Sequence, residues 1–89
     1  MKAIVTVIGA DRVGIIASVC AILAQHGVNV MDISQTVMQG YFTMIMLVDI
    51  SGCDLPFAEI AAILDEAGKK EKLSIRIQRE DIFEAMHRI

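Results

Sequence analysis

Two runs with strand character, residues 30–38 and 41–50, are separated only by Gln39 and Gly40. A two-residue connection closes a tight antiparallel hairpin, so the middle of this chain is committed to an antiparallel sheet. In the first run Met31, Ile33 and Val37 point one way while Asp32, Ser34 and Thr36 point the other, the period of a half-buried strand. In the second run Phe42, Met44, Met46, Val48 and Ile50 make one wholly apolar face. That face requires a cover, and the flanking sequence offers two helices for it.

Residues 2–8 are rich in β-branched side chains and stop at Gly9, which predicts a strand. From about residue 12 to 25 the pattern turns helical, with Ile16, Val19, Cys20 and Leu23 recurring at helix spacing and Gly27 as the stop. After a turn over residues 51–54, Pro56 marks the start of a second helix carrying Phe57, Ile60, Ala61, Leu64 and Gly68 on one face. It ends among Lys69, Lys70 and Lys72, charges that suit a helix C-terminus. Residues 73–79 alternate again as a fourth strand, and residues 80–89 place Ile82, Phe83, Met86 and Ile89 on one side of a short final helix. The order βαββαβ plus a C-terminal helix is that of a ferredoxin-like α+β sandwich, a four-stranded antiparallel sheet with two helices on one face. The first and third strands are apolar on nearly both faces and the second and fourth alternate. This assigns the first pair to the centre and the second to the edges, the sheet order 4-1-3-2.

A chain of 89 residues is one domain, residues 1–89 with a core over about 2–79, and buries only roughly 60–65% of its unfolded surface. Yet 55% of the residues are apolar, more than a core this small hides, which predicts self-association at least to a dimer. Eleven acidic against eight basic residues, with no basic run, argue against nucleic acid as a partner. The longest apolar run, 13–24, falls short of the ~20 residues of a membrane span, and residues 3–10 lack a convincing signal-cleavage site. No membrane association and a cytoplasmic location are the expectation. Cys20 lies within the apolar helix and Cys53 in a turn, outside any Cys/His cluster, so neither a metal nor another cofactor is expected.

Fold does not give function, and the loop after the first strand discriminates among modules of this topology. A metal carrier would place two cysteines there, and an acyl-phosphate hydrolase would surround its Arg with a different Gly-rich sequence. An RNA-recognition sheet would show stacking aromatics over a basic face, where only Tyr41 is available. The loop instead reads Asp11-Arg12-Val13-Gly14-Ile15, and the second strand is entered through Gly27-Val28-Asn29-Val30. Over residues 2 to about 79 this resembles the ACT domain family, with its Asp-Arg-Pro-Gly-Ile turn and Gly-Val-Asn-Ile entry. Val13 replaces the commoner Pro. The resemblance implies a regulatory module that pairs with its own copy and holds a small metabolite, an amino acid by preference, at the subunit interface.

Asp11, Arg12, Val13, Gly14, Ile15 and Asn29 are the candidate ligand residues. A helix start offers unpaired N–H groups and a partial positive charge for a carboxylate. Asp11 either accepts from a ligand ammonium or caps the helix. Gly14 either admits a ligand to the backbone or lets the helix pack closely on the sheet. Arg12 is either a solvated charge or a contact to a ligand anion. Asn29 either takes a turn conformation or, as the resemblance implies, reaches a ligand on the partner's first loop. No nucleophile or acid–base pair accompanies His26 or His87, so the expectation is no enzyme and no catalytic residue. Two classes remain: a ligand-sensing regulatory dimer acting on a regulated protein partner, and a protein-interaction adaptor with no small-molecule ligand.

Overall fold

The computed structural model describes residues 1–10 and 14–80. Its elements are β1 (Lys2–Ala10), α1 (Ile15–Gln25), β2 (Asn29–Met38), β3 (Tyr41–Asp49), α2 (Phe57–Glu71) and β4 (Ser74–Arg79). They form one antiparallel sheet ordered β2-β3-β1-β4, the expected 4-1-3-2 read from its other edge. The helix expected over 80–89 falls on residues 81–89, outside the described residues.

The core lies between the sheet and the two helices. Ala3, Val5 and Val7 of β1, Phe42, Met44, Met46 and Val48 of β3, and Ile75 and Ile77 of β4 are buried against Ile15, Val19 and Leu23 of α1 and Ile60 and Leu64 of α2. Ile16, Cys20, Phe57 and Ala61, read from the sequence as core-facing, sit half-buried at its margin. Each fully buried aliphatic side chain stabilises the fold by roughly 1.5–3 kcal/mol.

Both helices stop in the same way. After α1, Val28 N–H donates to Leu23 O (2.9 Å) and Gly27 N–H to Ala24 O (3.1 Å), with Gly27 at φ 76°. This pair of bonds satisfies carbonyls the helix end would orphan, and Val28 packs beside Leu23 in the core as such a cap requires. α2 repeats it, with Leu73 N–H on Gly68 O (2.7 Å), Lys72 N–H on Lys69 O (3.3 Å), and Lys72 in the left-handed region at φ 58°. The hairpin turn also has two positive φ values, Gln39 at 51° and Gly40 at 83°, the type I′ geometry that matches strand twist.

Three details depart from the sequence reading. β1 runs on to Ala10 because β3 offers partners as far as Tyr41. α1 begins at Ile15, not near residue 12, because Gly14 at φ 91° is its N-cap. The alternation of β2 is broken by a bulge between Val30 and Asp32, so Val30, Ile33, Gln35 and Val37 share the helix-side face while Met31 leaves that register. Apart from half-buried Val30, every residue of β2 is exposed, because the helices cover β3, β1 and β4 and leave this edge bare.

Candidate functional site

The start of α1 lacks a capping side chain: Gly14 holds the N-cap position with no side-chain hydrogen bond, and its carbonyl accepts the first intrahelical bond from Ser18 N–H at 2.9 Å. The first N–H groups of a helix have no partner within it and carry its positive end. A Cβ at Gly14 would meet nothing within 4 Å. The glycine is therefore not there to let α1 pack on the sheet; it supplies the left-handed turn and leaves the space above the backbone open.

That space is a cleft of ≈ 690 Å³ between the first turn of α1 and the second half of β2. Gly14, Ile15, Ile16 and Ala17 form one wall, Gln35 and Val37 the other, and buried Phe42 the floor. The cleft is mostly apolar, with the Gln35 side chain on its β2 wall, the composition of a small-ligand site. The β2 wall is also one of the two edges of the sheet. Gln35 was not singled out from the sequence, although it stands in the phase of Ile33 and Val37 where alternation called for an apolar residue.

Of the six candidate residues, Gly14 and Ile15 line this cleft. Asp11, Arg12 and Val13 lie outside the described residues. Asn29 is exposed at the opposite end of the sheet, since it pairs with Asp49 whereas Val37 pairs with Phe42. Their partners Asp49 and Phe42 lie seven residue steps apart along β3, roughly 23 Å at strand rise. Within one chain the two halves of the candidate site do not meet.

The Asn29 end is held by polar contacts between loops. The Asp49 carboxylate accepts from Ser51 N–H at 2.9 Å and lies 3.7 Å from the Met1 ammonium, which donates to Ser51 Oγ at 2.6 Å. Hydrogen bonding from Ser51, side chain first and backbone second, holds the Asp49 carboxyl below its ordinary range, with the Met1 charge helping. His26 Nδ1 stands 3.0 Å from Asp54 Oδ1, tying the end of α1 to the loop before α2. Cys20 and Cys53 are half-buried free thiols. Among the described residues no cluster of three or more His, Cys, Asp or Glu could hold a metal ion, and no helix is long and apolar enough to cross a membrane.

A four-stranded sheet backed by two helices, with a cleft at the first helix start, defines a small ferredoxin-like module. The chain belongs to the ACT domain family, whose model matches residues 2–78, and within it to the UPF0237 proteins. It is 57% identical over 89 residues to a UPF0237 protein of Clostridium acetobutylicum, covering all of both chains. It superposes on an ACT domain protein from Streptococcus pneumoniae with a TM-score of 0.82 at 42% identity, over 94% of each chain. A protein described as a glycine cleavage system transcriptional repressor is similar over 88% of this chain but 44% of its own, at 25% identity and a TM-score of 0.74. The ACT domain is a regulatory, ligand-binding module, and such domains typically assemble as oligomers.

Proposed function

We infer that the protein is a non-catalytic regulatory homodimer that binds an amino acid between its subunits and reports it to a protein partner in the cytoplasm. The observation that carries this reading is the position of Asn29, a full strand length from the cleft on the very strand whose edge is unpaired. Two β2 strands pairing antiparallel about a two-fold axis run in opposite directions, so the start of one lies beside the end of the other. Asn29 of the neighbour then arrives at the cleft of Gly14, Ile15 and Gln35. Such pairing also removes the longest open edge of the sheet and covers Val37 and Met31, which are 56% and 47% exposed.

In the occupied site the N–H groups at the start of α1, near Val13, Gly14 and Ile15, hold the carboxylate. Asp11 pairs with the ammonium, Arg12 contacts the ligand anion, and Asn29 of the neighbour closes the site with its amide. Apolar Ile16, Val37 and Phe42 face the ligand side chain, which favours an uncharged amino acid. A ligand gripped by two chains stabilises the dimer, by about 2.7 kcal/mol at a hundred times its dissociation constant. A panel of the common amino acids tested by thermal denaturation and calorimetry is the experiment. Stabilisation by at least one, lost in Asp11→Ala, is expected. No heat and no stabilisation from any would make the adaptor without a small ligand the better reading.

A further inference from the structure

On the helix side of the sheet, Val30, Ile33, Gln35 and Val37 of β2 pair with the buried Val48, Met46, Met44 and Phe42 of β3. Every member of the two rows is apolar except Gln35. A strand position beside a core is served by branched aliphatic side chains such as those of Ile33 and Val37, so the fold gives no reason for a carboxamide there. The amide makes no hydrogen bond to another described residue. It lines the cleft of ≈ 690 Å³ across from Ile15, Ile16 and Ala17, and none of the described lining residues carries a charge.

We propose that Gln35 selects the ligand, and that it selects an amino acid whose side chain is uncharged but hydrogen-bonding, ending in a carboxamide or a hydroxyl. This selection rests on the amino-acid site inferred above and narrows its ligands from uncharged side chains to polar ones. A carboxamide both donates and accepts, so Gln35 bonds to a ligand hydroxyl in either direction and to a ligand carboxamide twice at once. An aliphatic side chain leaves it unpaired. In a single chain that costs little, because Gln35 is exposed and water serves it. In the dimer it costs more. Pairing of β2 with β2 brings the start of the neighbour's strand alongside Gln35, and a bound ligand closes the cleft over it, so water leaves on both sides. A carboxamide taken from water without a new partner is penalised, and the penalty falls only on ligands that cannot bond to it. A charged side chain is disfavoured by the same cleft, since no described lining residue offers the opposite charge. Discrimination of this kind is strong for ligands of equal size, because a polar group left unpaired counts for more than a methylene gained or lost.

The test is calorimetric titration with amino acids in pairs of matched shape: asparagine with leucine, threonine with valine, glutamine with methionine. The wild type is expected to bind the polar member of at least one pair about tenfold more tightly than the apolar member. Gln35→Met keeps the length of the side chain and removes its hydrogen-bonding groups. It is expected to lose that preference, with affinity for the polar member falling and affinity for the apolar member kept or raised. Without ligand, Gln35→Met should melt at or above the wild-type temperature, because it completes an apolar row; a lower melting point would assign Gln35 to the fold and the proposal falls. Amino acids that bind with no polar preference, or a preference that survives in Gln35→Met, overturn the proposal and leave the amino-acid site standing. Binding of no amino acid to either protein overturns both.

Discussion

Gly27 and Gly52 meet backbone to backbone: a Cβ on Gly27 would stand 2.5 Å from the Gly52 carbonyl oxygen. The contact joins the end of α1 to the turn after β3 and so fixes where β2 begins. Gly27 also sits at φ 76°, so Gly27→Ala meets both a left-handed penalty of about 1–2 kcal/mol and a collision with backbone that cannot swing away. Gly14→Ala incurs a comparable φ penalty with empty space around the new methyl group. Chemical denaturation should therefore show Gly27→Ala costing at least about 2 kcal/mol and Gly14→Ala about 1 kcal/mol. Equal losses would mean that the two loops are not in contact.

Two left-handed positions are held by residues that pay for the conformation. Lys72 closes α2 at φ 58° and Gln39 opens the hairpin turn at φ 51°. Lys72→Gly and Gln39→Asn each relieve that strain by about 0.5 kcal/mol, the first after the greater chain entropy of glycine is deducted and the second because Asn tolerates the left-handed region better than Gln. Each should raise the melting point by roughly 2–4 °C, and the double variant by nearly the sum, because the sites share no partner.

Much of this geometry is legible in the sequence, for physical reasons that differ from element to element. The two-residue gap at Gln39 and Gly40 and the apolar row from Phe42 to Val48 leave one solution for the centre of the sheet. The central strands show themselves because Ile4, Ile45 and Leu47 add a second apolar face opposite the core. The bulge near Met31 is invisible, since Val30 and Met31 are both apolar and either can start the helix-side row. The candidate site is only half legible. The loop after β1 announces a helix start, though read near residue 12 and found at Ile15, and that Asn29 lies a strand length away follows from register, which no local pattern carries.

Acid should reveal the Asp49 cluster. Ser51 lowers the Asp49 pKa in the folded chain, so the stabilisation is complete above the unfolded value of 3.8 and is lost as pH falls through the lower folded value. Ser51→Ala removes the hydroxyl that binds both Asp49 and the Met1 ammonium. Melting points taken from pH 6 down to pH 2 should fall less steeply below about pH 4 in Ser51→Ala than in the wild type. Parallel curves would assign the acid slope to other carboxylates.

Subunit complementation reads out directly whether the amino-acid site is shared between chains. If Asp11 and Asn29 serve the same site from opposite subunits, Asp11→Ala and Asn29→Ala each damage every site of their own homodimer. In a heterodimer of the two, one site collects both substitutions and the other collects neither, because a two-fold interface presents the first loop of each chain to β2 of its neighbour. Unfolding and refolding the two variants together should then restore roughly a quarter of the wild-type binding capacity, half of the dimers being mixed and each carrying one intact site. The restored sites should bind with wild-type affinity, which separates complementation from weak residual binding by either variant. A mixture that binds no more than its components places the two residues in separate sites, or Asn29 in none. Recovery that appears without refolding, at a rate set by dilution, would in addition give the rate at which the dimer exchanges its chains.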